Sequence, residues 1–258
     1  MKNPLNREGF LLYLYIMNKD EVIYNVQLCE VVYKDQKDID FNHYGLTSVK
    51  WIDDKKTDTQ GFVAQKGRAL YVVFRGTSSK KDAQNDVSID KVPFMNSGDK
   101  VHIGFKSSWD AVKNIVLKDI IKMSGYDKIV VCGHSLGAAV ATLCAYNLSH
   151  VFNTTIECCT IGSPRVGNKT FKNNYDSRKI KTLRIVHNND VVTHSPFIGY
   201  YHVNYMLRID HEGNIKKFMI DWERAWNYVK SMFTGKNIKD HMTDGYIKSL
   251  NKWYDKQP

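Results

Sequence analysis

The chain has 258 residues and a mass of 29.8 kDa, with 43% hydrophobic and 25% charged residues. This is ordinary globular usage, too long for a disulfide-stapled miniprotein, and it contains no apolar run of the ~20 residues that a membrane-spanning helix needs. Lys and Arg outnumber Asp and Glu by 37 to 27, a net charge of +10, but the basic residues are scattered and cluster only in pairs such as Lys55-Lys56, Lys80-Lys81 and Lys216-Lys217. Nucleic acid is therefore not an expected partner; the pattern reads as a lysine-coated surface, with peripheral contact to an anionic membrane as the alternative.

In chain order, Phe10 to Met17 form a short apolar, Tyr-rich run. It ends in Asn18-Lys19-Asp20-Glu21 without a small-residue cleavage site, so it reads as an amphipathic or buried helix. Residues 61–65 and 69–74 predict two strands around a turn at Lys66-Gly67. Residues 75–101 are polar and aperiodic, which predicts a long loop or a short helix. From 104 to 123, Phe105, Trp109, Val112, Val116 and Ile120 recur at helical spacing. Strands are predicted at 129–132, 156–161 and 182–186, with helices at 136–149 and 221–233, the latter carrying Trp222, Trp226, Val229 and Phe233. Strands alternating with helices predict an α/β fold, a sheet wrapped by helices, with 1–258 as one domain.

Gly133-His134-Ser135-Leu136-Gly137 matches the nucleophile elbow G-x-S-x-G in the required context, an apolar strand before it and the small-residue helix of Ala138, Ala139, Ala141 and Ala145 after it. A serine on so sharp a turn is strained, and flanking residues without Cβ avoid a clash. Such a serine needs a base, and the base an orienting carboxylate. Asp190 is the acidic residue at a strand end downstream, with an Asx turn as its competing role. His194, His202, His211 and His241 are the candidate bases. His194 and His202 lie close to Asp190 in sequence, His211 precedes a hairpin-like Glu212-Gly213-Asn214, and His241 sits in a loop before the terminal helix.

The five cysteines, Cys29, Cys132, Cys144, Cys158 and Cys159, form no CxxC and no zinc-ligand spacing with histidines. Neither a metal nor an organic cofactor is expected. An odd set of thiols in apolar surroundings predicts reduced cysteines and an intracellular, cytoplasmic chain.

Taken together, Phe74-Arg75-Gly76-Thr77, Val101-His102-Ile103-Gly104-Phe105, the elbow, Gly162-Ser163-Pro164-Arg165-Val166-Gly167, Asn189-Asp190-Val191-Val192 and Asp240-His241-Met242-Thr243-Asp244-Gly245-Tyr246 resemble, in order, the motifs of the class 3 (fungal-type) lipases. The resemblance spans about residues 60–250. It implies an α/β-hydrolase fold, a central mostly parallel sheet flanked by helices, with a short lid at 78–98. It implies Ser135 as nucleophile, Asp190 as orienting carboxylate and His241 as base, and an oxyanion hole made by the backbone N–H groups of Thr77 and Leu136. His134 and His202 are implied to be structural. The implied activity is serine carboxylic-ester hydrolysis of a glycerolipid, as a triacylglycerol lipase, a phospholipase A1 or a mono- or diacylglycerol lipase. The lid segment lacks the family's aromatic anchor and carries its apolar residues later, at Val87, Ile89, Val92, Pro93, Phe94 and Met95; this predicts weak interfacial activation and a small-ester or lysolipid substrate. The competing reading is a catalytically silent relative that binds lipid or protein.

Overall fold

A computed structural model describes residues 18–76, 90–204, 206–215 and 240–256. Seven strands form one sheet: β1 (Thr47–Asp54), β2 (Thr59–Lys66), β3 (Ala69–Phe74), β6 (Lys128–His134), β7 (Thr155–Ile161), β8 (Lys181–His187) and β9 (Met206–Ile209). They lie in that order; β1, β2 and β3 pair antiparallel, and every later pair is parallel. A separate hairpin joins β4 (Lys91–Pro93) to β5 (Lys100–His102). The helices are α1 (Lys19–Val31), α2 (Ile103–Lys122), α3 (Leu136–Val151), α4 (Lys169–Ser177) and α5 (Thr243–Asp255).

Period-2 alternation divides the central strands between two cores. Leu70, Val72 and Phe74 of β3 and Ile129 and Val131 of β6 face a core with Trp109 and Val112 of α2, Ala141 of α3 and Tyr175 of α4. Tyr71 and Val73 of β3 and Val130 and Cys132 of β6 face the other, with Val22 and Val26 of α1 and Leu250 and Trp253 of α5. Strands covered on both sides read as continuous apolar runs, and β3 is buried at all six positions. Helix α3 threads the interior, its residues Gly137 to Leu148 all buried, and its small side chains let it approach the sheet closely.

The predicted strands and helices from 61 to 187 are present with their ends moved by a few residues. Six elements were not predicted: α1, β1, β4, β5, α4 and β9. Helix α1 has an even distribution of apolar and polar residues about its axis, so it lacks a clear stripe for sequence reading to find. The N-terminal apolar run at 10–17 and the expected helix at 221–233 lie outside the described residues. So does the lid from 78 to 89. In the rest of the expected lid span, Lys91–Pro93 pairs with Lys100–His102, and Phe94 packs on Tyr146 and Phe171 at ring-centroid distances of 6.2 and 6.1 Å. The late apolar residues Val92 to Met95 therefore include a core anchor, because a buried aromatic cluster offered Phe94 more contact than solvent did.

Candidate active site

The elbow forms where β6 ends against β3, with Gly133 paired to Phe74. Ser135 occupies φ 57°, ψ −125° at the start of α3, and its backbone N–H donates to the Ile161 carbonyl at 3.1 Å. A Cβ at Gly133 would strike the Gly137 carbonyl, and one at Gly137 would strike the backbone of Phe74 and Arg75. The two glycines thus admit the tight strand-to-helix turn, which puts Ser135 at the N-terminus of α3, where the first backbone N–H groups lack intrahelical acceptors and the helix dipole is positive. Leu136 carries the first of them. Gly76, which precedes Thr77, lies so near the elbow that a Cβ there would come within 3.0 Å of Ser135 Cβ. Thr77 itself is outside the described residues.

Asp190 is fully buried just beyond β8. Its Oδ2 is 2.8 Å from His241 Nδ1 and accepts a hydrogen bond from the Tyr246 hydroxyl, while Oδ1 accepts from the Val192 N–H at 3.0 Å. Burial alone would push this carboxyl up; the charge of His241 and the hydrogen bonds from His241 and Tyr246 outweigh it and hold Asp190 below the usual carboxylate value. The His241 ring lies beside the elbow, 4.5 Å between centroids from that of His134. Gly162, at φ 61°, supplies the space: a Cβ there would sit 2.9 Å from Asp190 Oδ2 and from His241 Nδ1 and Cε1.

His134 is bonded at both nitrogens. Its Nε2 is 2.7 Å from the His241 carbonyl, which can only accept, so Nε2 carries the proton. Nδ1 then accepts from the Tyr33 hydroxyl at 2.6 Å. Burial, with the charge of His241 next, lowers the His134 pKa to about 3, so the ring stays neutral and anchors the backbone of His241. His202 is half-buried, and its Nε2 donates to the Thr193 carbonyl at 2.7 Å. Burial and then Arg184 hold it well below the ordinary histidine value.

Of the residues singled out from sequence, the structure pairs His241 with Asp190 and, through His134, ties the His241 backbone to the elbow that carries Ser135 and Leu136. Two participants were missed. Tyr246 stood in the quoted motif, and its fixed spacing after His241 was the signal. Tyr33 comes from the turn just after α1, for which the sequence offered no signal at all.

A family model described as "Lipase (class 3)" matches residues 71–200. The chain is 35% identical over 167 residues to a lipase of Rhizopus niveus, covering 57% of this chain and 42% of the relative. It is 33% identical over 165 residues to the secreted mono- and diacylglycerol lipase A of Penicillium cyclopium, covering 61% and 54%. The Rhizomucor miehei lipase–propeptide complex superposes with a TM-score of 0.67 at 30% identity, covering 74% of this chain and 68% of that one. The chain spans about half the length of the curated relatives it matches.

The Penicillium relative, named as secreted, overturns the intracellular, cytoplasmic expectation. That expectation rested on the thiols. All five are free and buried, so their reduced state reports packing that shields them rather than a reducing compartment. No helix among the described residues is long and apolar enough to cross a membrane.

Proposed function

This chain belongs to the class 3 lipase family, and on that premise we propose that it is a serine carboxylic-ester hydrolase acting on acyl esters of glycerolipids. The observation that carries the proposal is the buried 2.8 Å contact between His241 Nδ1 and Asp190 beside a serine held at positive φ. The names of the Rhizopus and Penicillium relatives support a lipid ester as substrate.

In the proposed mechanism, Asp190 binds the Nδ1 edge of His241 and so leaves Nε2 to accept the Ser135 proton as Oγ attacks the acyl carbonyl. The carbonyl oxygen gains charge, which the N–H of Leu136 at the α3 N-terminus and that of Thr77 stabilise. His241 then returns the proton to the leaving alcohol. Water, deprotonated by His241, attacks the acyl-enzyme and releases the fatty acid. Asp190 stays ionised throughout and compensates the imidazolium charge. We take 1–258 as one domain, a reading supported by the core that α1 and α5 share on one sheet face and by the Lys19–Asp255 ion pair at 3.1 Å. Peripheral docking on an anionic surface belongs to the same proposal and draws on the net charge of +10.

Hydrolysis of p-nitrophenyl esters from acetate to palmitate, by the wild type and by Ser135→Ala, tests the proposal. Turnover lost by at least about a thousandfold in Ser135→Ala is expected. Equal rates in the two proteins, with or without liposomes, would refute it.

A further inference from the structure

Behind the Asp190–His241 pair lies a second cluster that the proposed chemistry does not use. His187 ends β8, His211 sits in the tight turn after β9, and Asp240 immediately precedes His241. One ligand atom from each, an imidazole nitrogen or a carboxylate oxygen, can be chosen so that all three lie within 4.8 Å of one another.

The hydrogen bonds define each donor. His187 Nδ1 is 3.0 Å from the Asp240 carbonyl, so the proton is on Nδ1 and Nε2 presents a bare lone pair. His187 is 2% exposed, and its Nε2 has no hydrogen-bond partner among the described residues. A buried acceptor left in this way is destabilising. Asp240 Oδ2 accepts from Asn188 Nδ2 at 2.8 Å and from the Asn189 N–H at 3.2 Å, which leaves Oδ1 for another partner. That oxygen is 3.2 Å from His211 Nε2. Asn188 Nδ2 also lies 2.9 Å from His211 Nε2 and so treats it as an acceptor. Two acceptors facing each other at that distance, with a third lone pair nearby, call for a shared cation.

We propose that His187 Nε2, His211 Nε2 and Asp240 Oδ1 bind a divalent transition-metal ion of the zinc class. Two neutral imidazoles and one carboxylate suit that class, whereas calcium and magnesium prefer all-oxygen shells. Tetrahedral coordination at about 2.0–2.1 Å places ligand atoms about 3.3 Å apart, which the His211–Asp240 pair already matches. The remaining ligands are oriented as metal ligands usually are: the His187 Nδ1–H donates to a backbone carbonyl, and the second carboxylate oxygen is held by amides. The exposed His211 side chain provides the entry path and carries out the adjustment, displacing the Asn188 amide from its lone pair. The ion would tie the end of β8 and the β9 turn to the residue before His241, and so stiffen the segment that presents the proposed base. It takes no part in the acyl-transfer steps.

The test uses the full chain, stripped with a chelator, and two readouts independent of ester hydrolysis. Isothermal titration with Zn²⁺ is expected to give one tight equivalent. Co²⁺ is expected to develop the intense visible bands of a low-symmetry four- or five-coordinate site. His211→Ala, at an exposed position, should weaken Zn²⁺ binding at least about tenfold and abolish those bands. His187→Gln and Asp240→Asn should do the same if they fold, but the decision rests on His211→Ala. No binding by the wild type, or equal binding by His211→Ala, overturns the proposal. Titration of a proton shared by His211 and Asp240 with no response to Zn²⁺ overturns it as well, leaving an ordinary ion pair.

Discussion

The hydroxyl of Tyr246 can be removed with almost no change in shape. Tyr246→Phe keeps a ring that is 1% exposed and takes away one of three described hydrogen-bond donors to the Asp190 carboxylate. Hydrogen bonds to charged groups contribute about 1.5–3 kcal/mol net, and both partners here lie in the interior, so little of that is lost to solvent screening. At about 2–4 °C per kcal/mol for a chain of this size, the melting temperature should fall by about 3–12 °C. The same bond helps to hold the Asp190 carboxyl low, so its loss lets that pKa rise. Stability that depends on ionised Asp190 is present above the carboxylate range and lost as pH falls through the folded-state pKa. In Tyr246→Phe that loss should begin at higher pH, and the acid limb of kcat/KM should shift upward with it. Differential scanning calorimetry and a pH–rate profile on a soluble ester measure the two effects. A variant with the wild-type melting temperature and an unmoved acid limb would refute the claim that this hydroxyl supports the carboxylate.

Three further outcomes are expected. His134, held near 3 in the fold against an ordinary 6.5, should make the protein lose stability as pH drops below 6.5, because the unfolded chain takes up a proton that the folded ring refuses. At about 1.4 kcal/mol per pH unit the loss reaches about 2 kcal/mol by pH 5, His202 acts in the same direction, and melting temperatures that stay flat from pH 7 to 5 would contradict both assignments. Gly162→Ala adds a methyl group 2.9 Å from Asp190 Oδ2 and His241 Nδ1 at a φ of 61°, and should cut kcat at least about tenfold while KM changes little; unchanged kcat would show that the pair has room to spare. All five thiols are buried, so a disulfide exchange reagent should titrate none in the native protein and five in denaturant, and rapid native reaction of even one would contradict the packing described.

The central α/β alternation is legible in the residues alone, because apolar β-branched runs such as Ile129-Val130-Val131 and the turn glycines act locally and leave their mark on neighbouring positions. So is the elbow, since the backbone of Ser135 depends on the residues immediately beside it. The choice among four downstream histidines was different. It came from the resemblance, and only the folded chain shows His241 meeting Asp190 while His202 turns to Thr193. Tyr33 reaches His134 from the turn after α1, more than a hundred positions away, and His187, His211 and Asp240 converge from three separate segments. Such contacts depend on how β8, β9, α1 and α5 are stacked, and no local periodicity encodes that. The cysteines show the same division: their number was visible in the sequence, but whether oxidant can reach them was decided by burial between sheet and helices.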